Sequence, residues 1–189
     1  MKIALLVLCF WCLPVFSFGQ ANPQLAISKS PLTSDEITIY REFLLSYTHG
    51  SKTTLNVSDV TDPFSPSDSD VKGCLKALGP ITPKHIVHRF STEFSGLSNI
   101  RLVNVPTHKF ADPGQAIRRG DSVDHAVKAG FRAGVLSFSE IRFDAKHRLA
   151  AFSYNFHCGA LCGHGGVVIF ELRNGHWEGS SLRCDSWIS

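Results

Sequence analysis

Charge is scarce in this sequence: 19% of the 189 residues are charged and the formal net charge is +3. That balance is too small to draw the chain to nucleic acid or to an acidic surface, so no nucleic-acid partner is expected. Methionine is scarcer still, with Met1 alone, which removes the soft thioethers that a cuprous site recruits. No second run of about 18 apolar residues follows the N-terminus, which excludes a multi-span helical membrane protein. Ser137 and Ser139 lack the Gly-x-Ser-x-Gly elbow of an α/β serine hydrolase. What is present is a hydrophobic share of 43%, enough for a packed core and too high for disorder.

Met1 and Lys2 make a short positive start, and Ile3 to Phe18 follow as a largely apolar stretch. Small residues stand at the minus-three and minus-one positions of Ser17-Phe18-Gly19 and of Gly19-Gln20-Ala21. The pattern predicts a secretory signal over residues 1–21, cleaved after Gly19 or after Ala21. Leu8 and Trp11 precede Cys9 and Cys12, and such bulky neighbours argue against lipid attachment. Loss of the segment takes Cys9, Cys12 and Lys2 with it, so six cysteines become four and a charge of +3 becomes +2. Residues 22–189 then suffice for one domain.

In that domain Thr33 and Glu36 form a capping box, with Leu32 and Ile37 as its hydrophobic staple. Ile37, Tyr40, Leu44 and Tyr47 recur on one face, which predicts an amphipathic helix over 34–48. Residues 51–70 are polar and broken by Pro63 and Pro66, leaving at best a short edge strand at 53–57. Asn56-Val57-Ser58 matches the glycosylation acceptor pattern, which carries no meaning in a bacterial host. A short helix is expected near 71–78, holding Cys74, and a strand at 100–105. Residues 106–121 read as a long surface loop, and 122–133 as a short helix with Val123, Val127 and Phe131 at a four-residue repeat. Four strands are expected at 136–143, 148–156, 166–172 and 176–182. In the second, Ala150, Phe152, Tyr154 and Phe156 alternate onto one face. Asn174-Gly175 signals a type I′ hairpin that sets Leu172 opposite Trp177 and Glu171 opposite Glu178. The expected architecture is therefore of the α+β class, an N-terminal amphipathic helix packed on a C-terminal antiparallel meander of at least four strands.

One dense cluster carries chemistry: His157-Cys158-Gly159-Ala160-Leu161-Cys162-Gly163-His164-Gly165-Gly166. In an oxidising compartment an even cysteine count is expected to be paired, and four cysteines permit three connectivities. Cys158 with Cys162 closes a small loop and leaves Cys74 with Cys184; the crossed pairings through Cys184 stay open. A metal site would use His157, Cys158, Cys162 and His164, but these lie within eight residues and leave little chain to wrap a tetrahedron. Thiol catalysis would need a base beside Cys158, whereas His157, its neighbour on a strand, points to the other face. The glycines could shape a turn whose amides receive an anion, although no lysine or arginine supports this.

The remaining histidines, at 49, 85, 88, 108, 125, 147 and 176, form no ligand pattern. Asp121 and Asp124 read as cap and first-turn residues, Arg118-Arg119 as a solvated pair, and Trp177 and Trp187 as core and edge-covering aromatics.

Ser139 to Phe143, Ala150 to Tyr154, Cys158-Gly159, Leu161-Cys162-Gly163, Leu172, Gly175, Trp177 and Trp187-Ile188-Ser189 resemble a group of uncharacterised exported bacterial proteins. Its members share a Cys-Gly-x-Leu-Cys-Gly-x-Gly turn, a Gly-x-Trp hairpin and a terminal Trp-x-Ser. Tyr40-Arg41-Glu42-Phe43-Leu44 is similar to the group's N-terminal segment. The resemblance implies a bacterial host and a periplasmic or extracellular location, and no activity. The expectation is a non-enzymatic, disulfide-stapled binding or envelope-associated module with no cofactor, its partner a small molecule or an envelope component. The alternative is a metal-binding protein or enzyme built on the His157–His164 turn. A ligand-holding concavity between helix and sheet is a third expectation.

Overall fold

The structure is a computed structural model that describes residues 26–80, 86–159, 162–182 and 184–189. The expected signal segment 1–21, Pro83, His85 and the Ala160-Leu161 link lie outside the described residues. The chain runs β1 (Ala26–Ile27), α1 (Ser34–Thr48), β2 (Leu55–Ser58), α2 (Asp68–Lys72), β3 (Ile86–Val87), β4 (Ile100–Val103), α3 (Pro113–Arg118), α4 (Val123–Ala133), β5 (Val135–Phe138), β6 (Arg142–Phe143), β7 (Leu149–Gly159), β8 (Cys162–Arg173), β9 (His176–Gly179) and β10 (Ser186–Ile188). Among the described residues no helix is long and apolar enough to cross a membrane.

The expected helix-on-meander architecture is overturned. The body is a curled mixed sheet of eight strands, ordered β10-β8-β7-β5-β2-β4, with β6 added to β7 and β9 to β8. β2 lies between β4 and β5 and is parallel to both. Parallel neighbours need long crossovers rather than hairpins, and here the crossovers carry α2, α3 and α4. The sheet therefore draws on the chain from residue 55 onward and not on its last third alone. Two local expectations change with it. The segment at 53–57 is no edge strand, since Asn56, Val57 and Ser58 are buried in the sheet interior. The loop at 106–121 contains α3, capped by Asp112, whose carboxylate accepts the Gln115 N–H at 2.8 Å.

Helix α1 begins where its capping box closes: Thr33 N–H donates to Glu36 at 2.7 Å, and Glu36 N–H donates to Thr33 Oγ1 at 3.3 Å. Ile39, Tyr40, Phe43 and Leu44 bury its inner face against Phe138, Phe152 and Phe170. Tyr40 is wholly buried and donates its hydroxyl to the Ser139 carbonyl at 2.7 Å. That bond satisfies the polar tip of a ring which contributes about 1.5–3 kcal/mol by burial, as core aromatics of this size do. The opposite face of the sheet is covered more thinly, by Phe64, Leu75 and Leu78 over Ala151 and Ile169. There Cys74 is bonded to Cys184, across a sequence separation of 110 residues.

The longest element is the β7/β8 hairpin, in register from Leu149↔Glu171 to Gly159↔Cys162. β9 returns through Asn174 and Gly175, both at positive φ (51° and 80°), and places Leu172 opposite Trp177 and Glu171 opposite Glu178. The Glu171 carboxylate is held below the usual range by hydrogen bonds from Ser180 and Arg173, which offsets the like-charge pairing with Glu178.

Candidate functional site at the tip of the long hairpin

The reactive cluster read from the sequence is mostly strand. β7 runs to Gly159 and β8 starts at Cys162, and Cys158 is bonded to Cys162 with their Cα atoms 5.1 Å apart. Strand alternation then separates the two histidines. Phe156 pairs with His164 on the α1 face, whereas His157 pairs with Gly163 and meets Trp187 of β10 at 5.8 Å on the other face. His157, Cys158, Cys162 and His164 therefore do not converge, and their sulfurs are used in a disulfide. Among the described residues the one cluster with metal-ligand spacing is Asp70, Cys74 and Cys184, and its two cysteines are bonded to each other. Gly163, Gly165 and Gly166 form no anion-receiving turn either, because all three lie within β8.

On the α1 face His164 sits among aromatic rings. Tyr47 is stacked on it at 17° and 5.9 Å, Phe156 is tilted at 5.3 Å, and Tyr154 stands edge-on at 6.1 Å. Burial pushes the His164 pKa down and the Tyr47 pKa up to about 12. Both groups are thus neutral at pH 7, and the Tyr47 hydroxyl and His164 Nε2 share a hydrogen bond at 2.9 Å. That bond is the one side-chain hydrogen bond His164 makes among the described residues, so no carboxylate orients it as a base. Beside the pair opens a cleft of about 580 Å³, lined by the apolar rings of Phe43, Phe131 and Phe156 and by the hydroxyl residues Ser46, Thr48 and Thr53. Phe131 stacks on Phe156 at 6.1 Å, tying α4 to this cleft.

The other face gathers Asp62, Ser137 and His157. Burial raises the Asp62 carboxyl, while a Ser137 hydrogen bond and the His157 charge pull it back down. These are the residue types of a hydrolytic triad in the wrong order: the hydroxyl bonds the carboxylate and not the imidazole, so no base serves the nucleophile.

Two further polar clusters are structural. His88 Nδ1 lies 2.9 and 2.8 Å from the two Glu140 oxygens, and Glu140 also accepts from His88 N–H and Thr61. This buried strut ties 61 and 88 to the β5–β6 connection. Asn56 donates to the carbonyls of Arg132 and Gly134 and accepts from Arg101, so the acceptor-like tripeptide is internal framework. Sequence reasoning singled out neither Glu140 nor the Tyr47–His164 bond, which joins residues 117 positions apart and leaves no local pattern. No family model matches the chain, and neither a curated protein nor a solved structure matches it.

Proposed function

We propose that the chain is an exported, non-enzymatic binding module, stapled by disulfides and working in a periplasmic or extracellular setting, with its ligand seat in the cleft beside α1. The Tyr47–His164 cleft carries this reading: its volume of about 580 Å³ falls within the range of small-molecule sites. A lining that joins three phenylalanines to several hydroxyl residues suits a compact ligand with a flat apolar body and a polar edge. Two bonded cysteine pairs support the oxidising compartment, in keeping with the resemblance to exported bacterial proteins and with a signal over residues 1–21. The lack of an oriented base at His164 supports binding over catalysis.

Thiol titration of the denatured protein without reductant tests the export part. No reactive thiol in the mature chain is expected, and four would overturn it. A screen of small aromatic and amphipathic compounds, read by the Tyr47 and His164 resonances, tests the seat. Hits are expected to weaken in Phe131→Ala, and a screen with no hit at these resonances would overturn the seat.

A further inference from the structure

On the sheet face opposite α1, the indole of Trp187 lies flat along β8. A Cβ built on Gly163 would come within 3.2 and 3.3 Å of two indole carbons, and one on Gly165 within 2.7 Å of Nε1. Two glycines thus make the bed for one face of the ring, and Trp187 keeps 38% of its surface exposed. The indole forms one wall of a separate cleft of about 360 Å³ that also takes in Ser65, Ser153, Asn155 and Asp185.

Three residues that carry polar groups line it together: Ser153 with its hydroxyl, Asn155 with its amide and Trp187 with its indole N–H. The cleft therefore offers an apolar π-face beside hydrogen-bond donors and acceptors. Its described lining carries the carboxylates of Asp70 and Asp185 and no lysine or arginine, a balance that disfavours an anionic ligand. Its walls are fixed before any ligand arrives. Cys74–Cys184 joins the two sides, Ser69 Oγ donates to Asp185 at 3.1 Å, and Asp185 N–H donates to Asp70 at 3.1 Å. Prior fixing of this kind lowers the ordering cost of binding.

We propose that this cleft seats one pyranose ring of an uncharged saccharide. The C–H face of the sugar stacks on the free side of Trp187, and its hydroxyls bond Asn155, Ser153 and the indole N–H. A stacked aromatic with mixed amide and hydroxyl partners matches a ring that is apolar on its face and polar round its edge. The volume admits a single ring. This seat is on the opposite side of the sheet from the α1 cleft and does not depend on it.

The test titrates the purified chain, disulfides intact and labelled with nitrogen-15, with N-acetylglucosamine, methyl glucoside and methyl galactoside, following the Trp187 indole N–H resonance. At least one sugar is expected to shift it saturably. Asn155→Ala, and Trp187→Ala followed instead by the Val167 backbone amide resonance, are each expected to weaken binding about tenfold or more, the effect of losing about 1.4 kcal/mol, while Lys128→Ala on the exposed face of α4 leaves binding unchanged. Asn155→Ala guards against loss of β10 in the tryptophan variant. No response to any of the three sugars overturns the proposal, as does undiminished binding in folded Asn155→Ala protein.

Discussion

Trp187 leaves no room for a side chain at Gly165. A Cβ there would stand 2.7 Å from the indole Nε1 and 2.6 Å from both the Tyr154 carbonyl and the Asn155 amide oxygen. The backbone carbonyl cannot swing away, so Gly165→Ala must displace β8 or expel Trp187. The expected loss is about 1–3 kcal/mol, the usual cost of overpacking. Gly179→Ala is the control, since nothing lies within 4 Å of its Cβ position, and it should change stability by no more than about 0.5 kcal/mol. Urea denaturation of both variants checks this, and equal effects would remove the packing account of the β8 glycines.

The local elements were legible because their signals are local. Thr33 and Glu36 mark the start of α1 within four residues, and Asn174-Gly175 sets the β8/β9 register. The architecture was not legible, because β2 is held by parallel partners at Ile100–Val103 and Val135–Leu136 that no short pattern announces. Gly163, Gly165 and Gly166 read as a turn for a related reason. Glycine signals either backbone freedom or close approach, and the residue that approaches, Trp187, lies more than 20 positions away. The candidate clefts were invisible on the same ground, since Tyr47 meets His164 and Asn155 meets Trp187 only once the sheet has formed.

The two disulfides should contribute unequally. Cys74–Cys184 spans 110 positions and Cys158–Cys162 spans 4. In the chain-entropy account the first is worth about 5 kcal/mol and the second about 2 kcal/mol. Replacing Cys74 and Cys184 by serine should therefore lower stability by about 2–3 kcal/mol more than replacing Cys158 and Cys162. Denaturation of both double variants beside the parent measures the difference, and equal losses would contradict the assignment of Cys74–Cys184 as the main staple.

Stability should fall at both ends of the pH range through the Tyr47–His164 pair. Burial lowers the His164 pKa from 6.5, so below about pH 6.5 the unfolded chain binds a proton that the native state refuses, and stability drops as pH falls. Tyr47 is raised from 10.0 to about 12. Between those values the unfolded chain loses a proton that the native state keeps, so stability drops as pH rises. His164→Gln should flatten the acid limb of a Tm-versus-pH curve while leaving the alkaline limb. An unchanged acid limb would show that His164 titrates as in the unfolded chain.

Trp177 carries an opposing pair of terms that one substitution can weigh. The side chain is 5% exposed and packs 5.6 Å from Phe143 and 5.8 Å from His147, yet its buried indole N–H has no hydrogen-bond partner among the described residues. An orphaned donor of this kind costs about 1–3 kcal/mol. Trp177→Phe removes that cost together with part of the ring, and the cavity left behind is a fraction of the one behind the roughly 3–5 kcal/mol that Trp→Ala loses. The two changes offset, so Trp177→Phe should lie within about 1 kcal/mol of the parent, whereas Trp177→Ala should lose about 3–5 kcal/mol. Urea midpoints of the two variants decide it. If Trp177→Phe costs as much as Trp177→Ala, the indole N–H is contributing a bond in solution and the unpaired donor is not a feature of the folded protein.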